Sequence, residues 1–261
     1  MSPAYPAITL VTPVWNRRDL LPFTLRSVLA QTREDFELIV WDDGSSDDSA
    51  AVAREIAGAD PRVRVVEAAH QGLTGVLKAA LSEARGEFLG WVDSDDLLLP
   101  RALEITAKVL EEQPDVGMVY SHHEIIDKSG KVLRHGLRCE IPFSLEGLLV
   151  DYMTFQFRLI RRSVYEAVGG IDTEFVRAQD YELCQRLAEV TRLVQVPEVL
   201  YQHRDHAQAI SRLHTYEQIE CCRKASEQAI VRRGLADQLE LSVTLLPIFR
   251  LIRREGAKEP V

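Results

Sequence analysis

"EFLGWVDSDDLLLP" (residues 87–100) runs apolar from Phe88 to Val92, places the three carboxylates Asp93, Asp95 and Asp96 within four positions, and turns back to Leu97–Leu99. Charged side chains are rarely removed from water unless they are paired or hold a cation. The stretch is therefore either a solvated turn or a place for something positive. Pro100, the spacing Leu103, Ala107, Leu110 and the closing Pro114 predict a helix directly after it. Strand, acidic turn and helix follow one another here, and that unit sets the fold.

Upstream the same unit repeats. "AITLVTPV" (7–14), "FELIVW" (36–41) and "VRVVE" (63–67) read as strands, as does "VGMVY" (116–120) downstream. Their near-continuous apolar character suits a sheet covered on both faces. Leu73, Val76, Leu77, Ala80, Leu81 and Ala84 form a helical stripe that ends at Gly86. This alternation predicts an α/β fold with a parallel, doubly wound central sheet flanked by helices. In such sheets ligands bind outside the carboxyl ends of the strands. Those ends carry "TPVWN" (12–16), "DDGSSDDS" (42–49), "HQG" (70–72) and "DSDD" (93–96), an acidic and aromatic rim.

From 121 to 178 the pattern weakens into mixed strand and loop, with "DKSG" (127–130) a hairpin turn and "VGGID" (168–172) a glycine-marked loop. A helix is predicted at 179–190, and the chain returns as a strand through 194–204. Asp180 shares its helical face with Leu183, Cys184 and Leu187, so it points inward unless it caps the helix.

Composition narrows the function. The chain has 261 residues, 46% of them apolar, and a net charge of −9. That charge argues against a nucleic-acid partner, which requires clustered Lys and Arg. Four cysteines without C-x-x-C spacing predict a reducing, cytoplasmic location. No leader pattern stands at the N-terminus, and no run reaches the roughly 18 apolar residues of a membrane span.

A D-x-D at a strand end suits Mg²⁺ or Mn²⁺, hard cations held by carboxylates and substrate phosphates. Asp42 and Asp43 end a strand before Gly44, where a carboxylate can accept from a base edge, and Trp15 can offer that base a stacking face. Ser46 or Asp47 can cap the following helix. His122 and His123 face either an acceptor wall or solvent. They also invite a zinc reading, for which the spacing supplies no third and fourth ligand.

"TPVWNR", "ELIVWDDGSSDDS", "HQGLTGVLKAALSEARGEFLGWVDSDDLLLP", "VGGIDTEFVRAQDYELCQRLAE" and "LYQHRDHAQAIS", in unbroken order over about residues 7–211, resemble family-2 glycosyltransferases of the GT-A fold. The resemblance implies an inverting transferase that moves a sugar from a nucleotide-diphospho-sugar, a UDP-sugar in the first place, to an acceptor hydroxyl. It implies Thr12, Pro13, Trp15, Asp43, Lys78, Asp93, Ser94 and Arg204 as nucleotide-sugar contacts. Asp95 and His206 would hold Mn²⁺ or Mg²⁺, Asp180 would be the catalytic base, and Ser211 follows. Lys78 and Gln179 depart from the family, which commonly has Asn and Glu there. As a base, Asp180 would take the proton of the attacking hydroxyl.

The domains implied are a GT-A unit over 1–215, with a nucleotide half to about 100 and an acceptor half beyond, and a helical extension over 216–261. The acceptor is a sugar, a lipid-linked sugar or a protein, in polysaccharide or glycoconjugate synthesis. The tail (239–261) is amphipathic and basic. It either lies in a membrane interface at the inner face or packs on the domain or a second subunit of a homodimer. A nucleotidyltransferase is the rival reaction, but "TPVWNRRD" lacks the glycine-rich loop a triphosphate needs. An inactive nucleotide-sugar-binding relative is the third reading.

Overall fold

The computed structural model describes residues 6–206 and 214–244. One sheet runs through it. Its strands are β1 (Ile8–Val14), β2 (Phe36–Asp42), β3 (Val63–Glu67), β4 (Phe88–Trp91), β5 (Leu97–Leu98), β6 (Val116–Ile126), β7 (Val132–His135), β8 (Arg158–Arg161) and β9 (Arg192–Arg204). The helices between them are α1 (Leu21–Leu29), α2 (Ser49–Ala57), α3 (Gly72–Ser82), α4 (Ala102–Glu112), α5 (Arg162–Ala167) and α6 (Gln179–Val190), followed by a C-terminal helix, Thr215–Arg232. Strand order is β3-β2-β1-β4-β8-β6-β9-β5, with β7 on β6.

The parallel, doubly wound arrangement holds from β3 to β4. Beyond it the sheet is mixed, because β8 inserts antiparallel between β4 and β6, while β6 and β9 pair parallel. Strand alternation assigns side chains to two layers. Leu10, Leu38 and Val40 pack with Leu25, Val28, Leu103 and Ala107 on one face. Val11, Ile39, Trp41 and Trp91 pack with Val76, Leu77, Leu183 and Leu187 on the other. Each helix thus covers the sheet with the stripe its sequence period sets out.

The predicted strand at 116–120 continues to Ile126. "SHHE" (121–124) hides the extension, since polar residues break the apolar run while the backbone still pairs with β9. The C-terminal helix lays Ala225, Ser226, Ala229 and Ile230 inward. It is tied to α6 by Tyr181 Oη and Ser226 Oγ, 3.1 Å apart. Of the amphipathic tail, Leu241 packs against Leu149, Ala229 and Ile230, and 245–261 lie outside the described residues, as does Ser211. Among the described residues no helix is long and apolar enough to cross a membrane.

Candidate functional site

Register aligns the strand ends. Val14 pairs with Asp42, and Asp42 with Glu67, so Trp15, Asp43 and the 68–70 loop emerge side by side. The Asp43 side chain, 4% exposed, lies 2.8 Å from His70 Nδ1. It accepts the backbone N–H of Gln71 at 2.7 Å and of Gly72 at 2.9 Å. Trp15 is half exposed and stacks on His70 with ring centroids 4.8 Å apart. The turn after Asp43 needs Gly44, which has φ +72 and would bring a Cβ within 3.1 Å of the His70 nitrogen. Asn16, also at positive φ, fixes the neighbouring loop by accepting Ser46 N–H at 2.8 Å. Asp47 Oδ1 accepts the N–H of Ser49 at the start of α2, but the N-cap position falls on Asp48 and no side chain caps the helix, so neither Ser46 nor Asp47 takes the expected capping role.

The four residues 93–96 separate into two roles. Asp96 is fully buried and structural: Oδ1 accepts Arg204 N–H at 2.7 Å, and Oδ2 accepts Tyr201 Oη at 2.8 Å and lies 3.1 Å from His203 Nδ1. Asp95 faces the rim. Its Oδ2 lies 3.0 Å from His206 Nε2 and 3.3 Å from Arg17 Nε. Burial works against its ionisation, yet the His206 hydrogen bond and the Arg17 charge hold the Asp95 carboxyl below the usual range. Asp93 is pushed up to about 8 by burial, then by the charges of Asp96, Asp95 and Asp180. Those three carboxylates are therefore close enough to act on it together.

Asp95 and His206, the pair the resemblance assigns to a divalent cation, stand in direct contact. The 3.0 Å between Asp95 Oδ2 and His206 Nε2 is the spacing of adjacent ligands on an octahedral ion with bonds of about 2.1 Å. The charge that suppresses ionisation of Asp93 is the charge such an ion offsets.

Asp180 stands in the first turn of α6, which starts after Ala178, a residue at φ +57. Strained backbone of this kind is held in place by its surroundings and gathers at functional sites. Asp180 Oδ2 is 3.1 Å from Arg158 Nη2, a guanidinium only 1% exposed. Arg158 also donates to Tyr152 Oη and to Thr154 O, and its Cζ lies 4.9 Å over the Trp91 ring. Asp180, which the helical stripe predicted to point inward, is thus only 20% exposed and fixed by a charge from β8.

Three assigned residues lie elsewhere than the donor reading requires. Thr12 is wholly enclosed in β1, with its hydroxyl unpartnered, because neighbouring strands cover both its sides. Lys78 is exposed on α3 and lines a crevice with Gly169, Gly170, Asp172 and Arg186, a group that includes none of the acidic-loop residues. Arg204 is 3% exposed and donates to the backbone carbonyls of Asp95, Asp127 and Lys128, so its guanidinium braces loops. Pro13 is buried in β1 and Ser94 is 7% exposed within the acidic loop.

Sequence reasoning passed over Arg17, His70, Tyr152, Arg158, Tyr201 and His203. The signal for Arg158 is a lone cation inside the apolar run "FQFRLI" (155–160).

Residues 9–169 match the family model described as Glycosyl transferase family 2. The chain is 27% identical over 196 residues to the chondroitin synthase of Pasteurella multocida (strain Pm70), a match covering 75% of this chain and 20% of that protein. Among solved structures it is similar to S. aureus TarS 1-349 in complex with UDP-GlcNAc, with TM-score 0.66 and 16% identity over 90% of this chain and 76% of the other. It is also similar to mannosyltransferase PcManGT from Pyrobaculum calidifontis in complex with GDP-Man and Mn²⁺, with TM-score 0.60 and 18% identity over 92% of this chain and 77% of the other. The structural likeness is one of fold, GT-A, and the match of residues 9–169 carries the family. The chain belongs to glycosyl transferase family 2.

Proposed function

We propose that the chain is an inverting, metal-dependent glycosyltransferase that takes a UDP-sugar as donor and a hydroxyl of a growing polysaccharide as acceptor. The observation that carries this reading is the position of Asp93, which feels the charge of Asp95 from its own loop and of Asp180 from α6. A donor site and a base must share one cleft for a single displacement, and these carboxylates come from β4 and α6. The UDP-GlcNAc of TarS and the GDP-Man and Mn²⁺ of PcManGT support a nucleotide-sugar and a divalent cation. The chondroitin synthase supports a polysaccharide acceptor.

The roles follow from position. Asp43 holds the base edge, its own orientation fixed by Gln71 N–H, Gly72 N–H and His70, and Trp15 with His70 offers a stacking face. Asp95 and His206, with Asp93 beside them in the acidic loop, would hold the cation, which when bound would neutralise charge on the departing diphosphate. Arg17 adds a positive group at the same carboxylate. Asp180, oriented by Arg158, accepts the proton of the attacking hydroxyl.

Thermal unfolding with UDP-, GDP- and dTDP-sugars, each with and without Mn²⁺, tests the donor and metal. A nucleotide-sugar at 100 times its dissociation constant adds about 2.7 kcal/mol. We expect stabilisation by a UDP-sugar only with Mn²⁺, and none in Asp95→Asn. Equal stabilisation of both proteins without metal overturns the metal assignment. Asp180→Asn is expected to bind donor normally and to lose about 10²–10⁴ in transfer rate.

A further inference from the structure

A second group of ligating side chains gathers where β6, β7 and the turn Leu137–Glu140 meet, and no residue of it belongs to the donor loops. We propose that His122, His135 and Cys139 form a binding site for a soft transition-metal ion, zinc in the first place. Their ligand atoms all lie within 4.8 Å of one another. Tetrahedral zinc with two nitrogens and one sulfur holds its ligands about 3.5 Å apart. Side-chain rotation covers that difference.

The backbone around the three is already fixed. β7 pairs with β6 through Glu124 and His135, Gly136 N–H donates to His123 O at 2.9 Å, and Cys139 N–H to Gly136 O at 3.0 Å. Gly136 permits the crossing, since a Cβ there would stand 2.2 Å from the His123 ring. The register of β6 against β9 shifts on both sides of His122, the kind of irregularity that re-aims a side chain.

The donor chemistry points the same way. Cys139 is 6% exposed, and its Sγ accepts the backbone N–H of His123 at 3.2 Å, a partner that suits a metal-bound thiolate. His122 meets His135 edge-on, with ring centroids 5.2 Å apart. Glu140 Oε1 lies 3.5 Å from His135 Nε2, where a carboxylate orients a ligating imidazole. One thiolate and two imidazoles select zinc over Mg²⁺ or Mn²⁺, the opposite preference from Asp93 and Asp95.

The site also has a place in the cleft. Arg138, next to Cys139, lies over the Tyr152 and Phe155 rings at 5.4 and 5.2 Å, and Tyr152 bonds the arginine that holds Asp180. An ion at this corner clamps the wall of the acceptor side.

The test titrates the EDTA-stripped full chain with Zn²⁺ against a chromophoric chelator, and with Co²⁺ under reducing conditions. One equivalent of zinc is expected to bind, about 100-fold or more weakened in Cys139→Ser and His122→Gln. The Co²⁺ complex is expected to show a thiolate-to-cobalt charge-transfer band that Cys139→Ser lacks. Asp95→Asn is expected to retain both signals, and excess Mn²⁺ to displace neither. Zinc affinity unchanged in Cys139→Ser, no zinc binding at all, or loss only on replacing Cys221 and Cys222 overturns the assignment. Circular dichroism checks each variant, and should Cys139→Ser not fold, the partly exposed His135→Gln makes the same comparison.

Discussion

The Arg158 side chain is 1% exposed and charged, and it remains tolerable there because its two Nη groups meet Asp180, Tyr152 Oη and Thr154 O while its plane faces Trp91, only Nε being left without a partner. Removing one member of a buried pair leaves the other without compensation, typically at 3–5 kcal/mol. Asp180 retains 20% exposure, so Arg158→Met is expected to cost about 3 kcal/mol in urea unfolding. Its transfer rate is expected to fall even where donor binding, measured by calorimetry, is kept. Unchanged stability and rate would show that Asp180 orients itself. Asp180 was legible as an inward residue because Leu183, Cys184 and Leu187 set the phase of the helix. Arg158 was not, because the pair joins β8 to α6 and no local period records a contact between separate elements. Asp96 shows the same limit in reverse: identical in type to Asp93 and Asp95, it is the one turned wholly inward, and only β9 reveals it.

Among the elements, β9 governs the acidic loop. Tyr201, His203 and the Arg204 backbone all grip the Asp96 carboxylate, and Tyr201 Oη also accepts Asp93 N–H at 3.3 Å. Burial lowers the His203 pKa, but the Asp96 charge and hydrogen bond outweigh it and raise the group from 6.5 to about 9. A raised folded value means that this stabilisation is complete below about pH 6.5 and is lost as pH climbs through about 9. It amounts to something on the order of 3 kcal/mol. Asp93, raised to about 8, also makes stability fall as pH rises. Unfolding free energies at either end of that range, compared with His203→Gln, isolate the imidazole: the wild type is expected to decline more steeply. Parallel curves would remove His203 from the account. The strand itself was foreseen at 194–204 from its apolar start, and it begins at Arg192. Its tail "YQHR" gave no sign of a partner, since a polar strand end and a loop look alike in one sequence.

At the scale of the whole molecule, two apolar layers on opposite faces of the sheet make one body of it. The first half was readable because β1, β2 and β4 are buried along their length and α3 carries a clear helical stripe, whereas β5, two residues paired with β9, left no period to read. The second half was not, because β8 is short and antiparallel and its neighbours are chosen by tertiary pairing. The C-terminal helix belongs to this body: Ala225 sits in the larger layer, and Tyr181 bonds Ser226. A chain ending at residue 214 would expose Tyr181, Leu149 and Leu187 to water. It is expected to melt several degrees lower and to bind a hydrophobic dye, about 1 kcal/mol being worth 2–4 °C in a domain of this size. Equal melting points would make the helix an appendage.

Arg204 joins the acidic loop at Asp95 O to the β6–β7 turn at Asp127 O and Lys128 O. The turn and the loop are therefore not interchangeable modules. A chimera that imports the 127–131 hairpin of a relative also alters the seat of Asp95 and Asp96. Any such graft needs to carry its own matching β9 end.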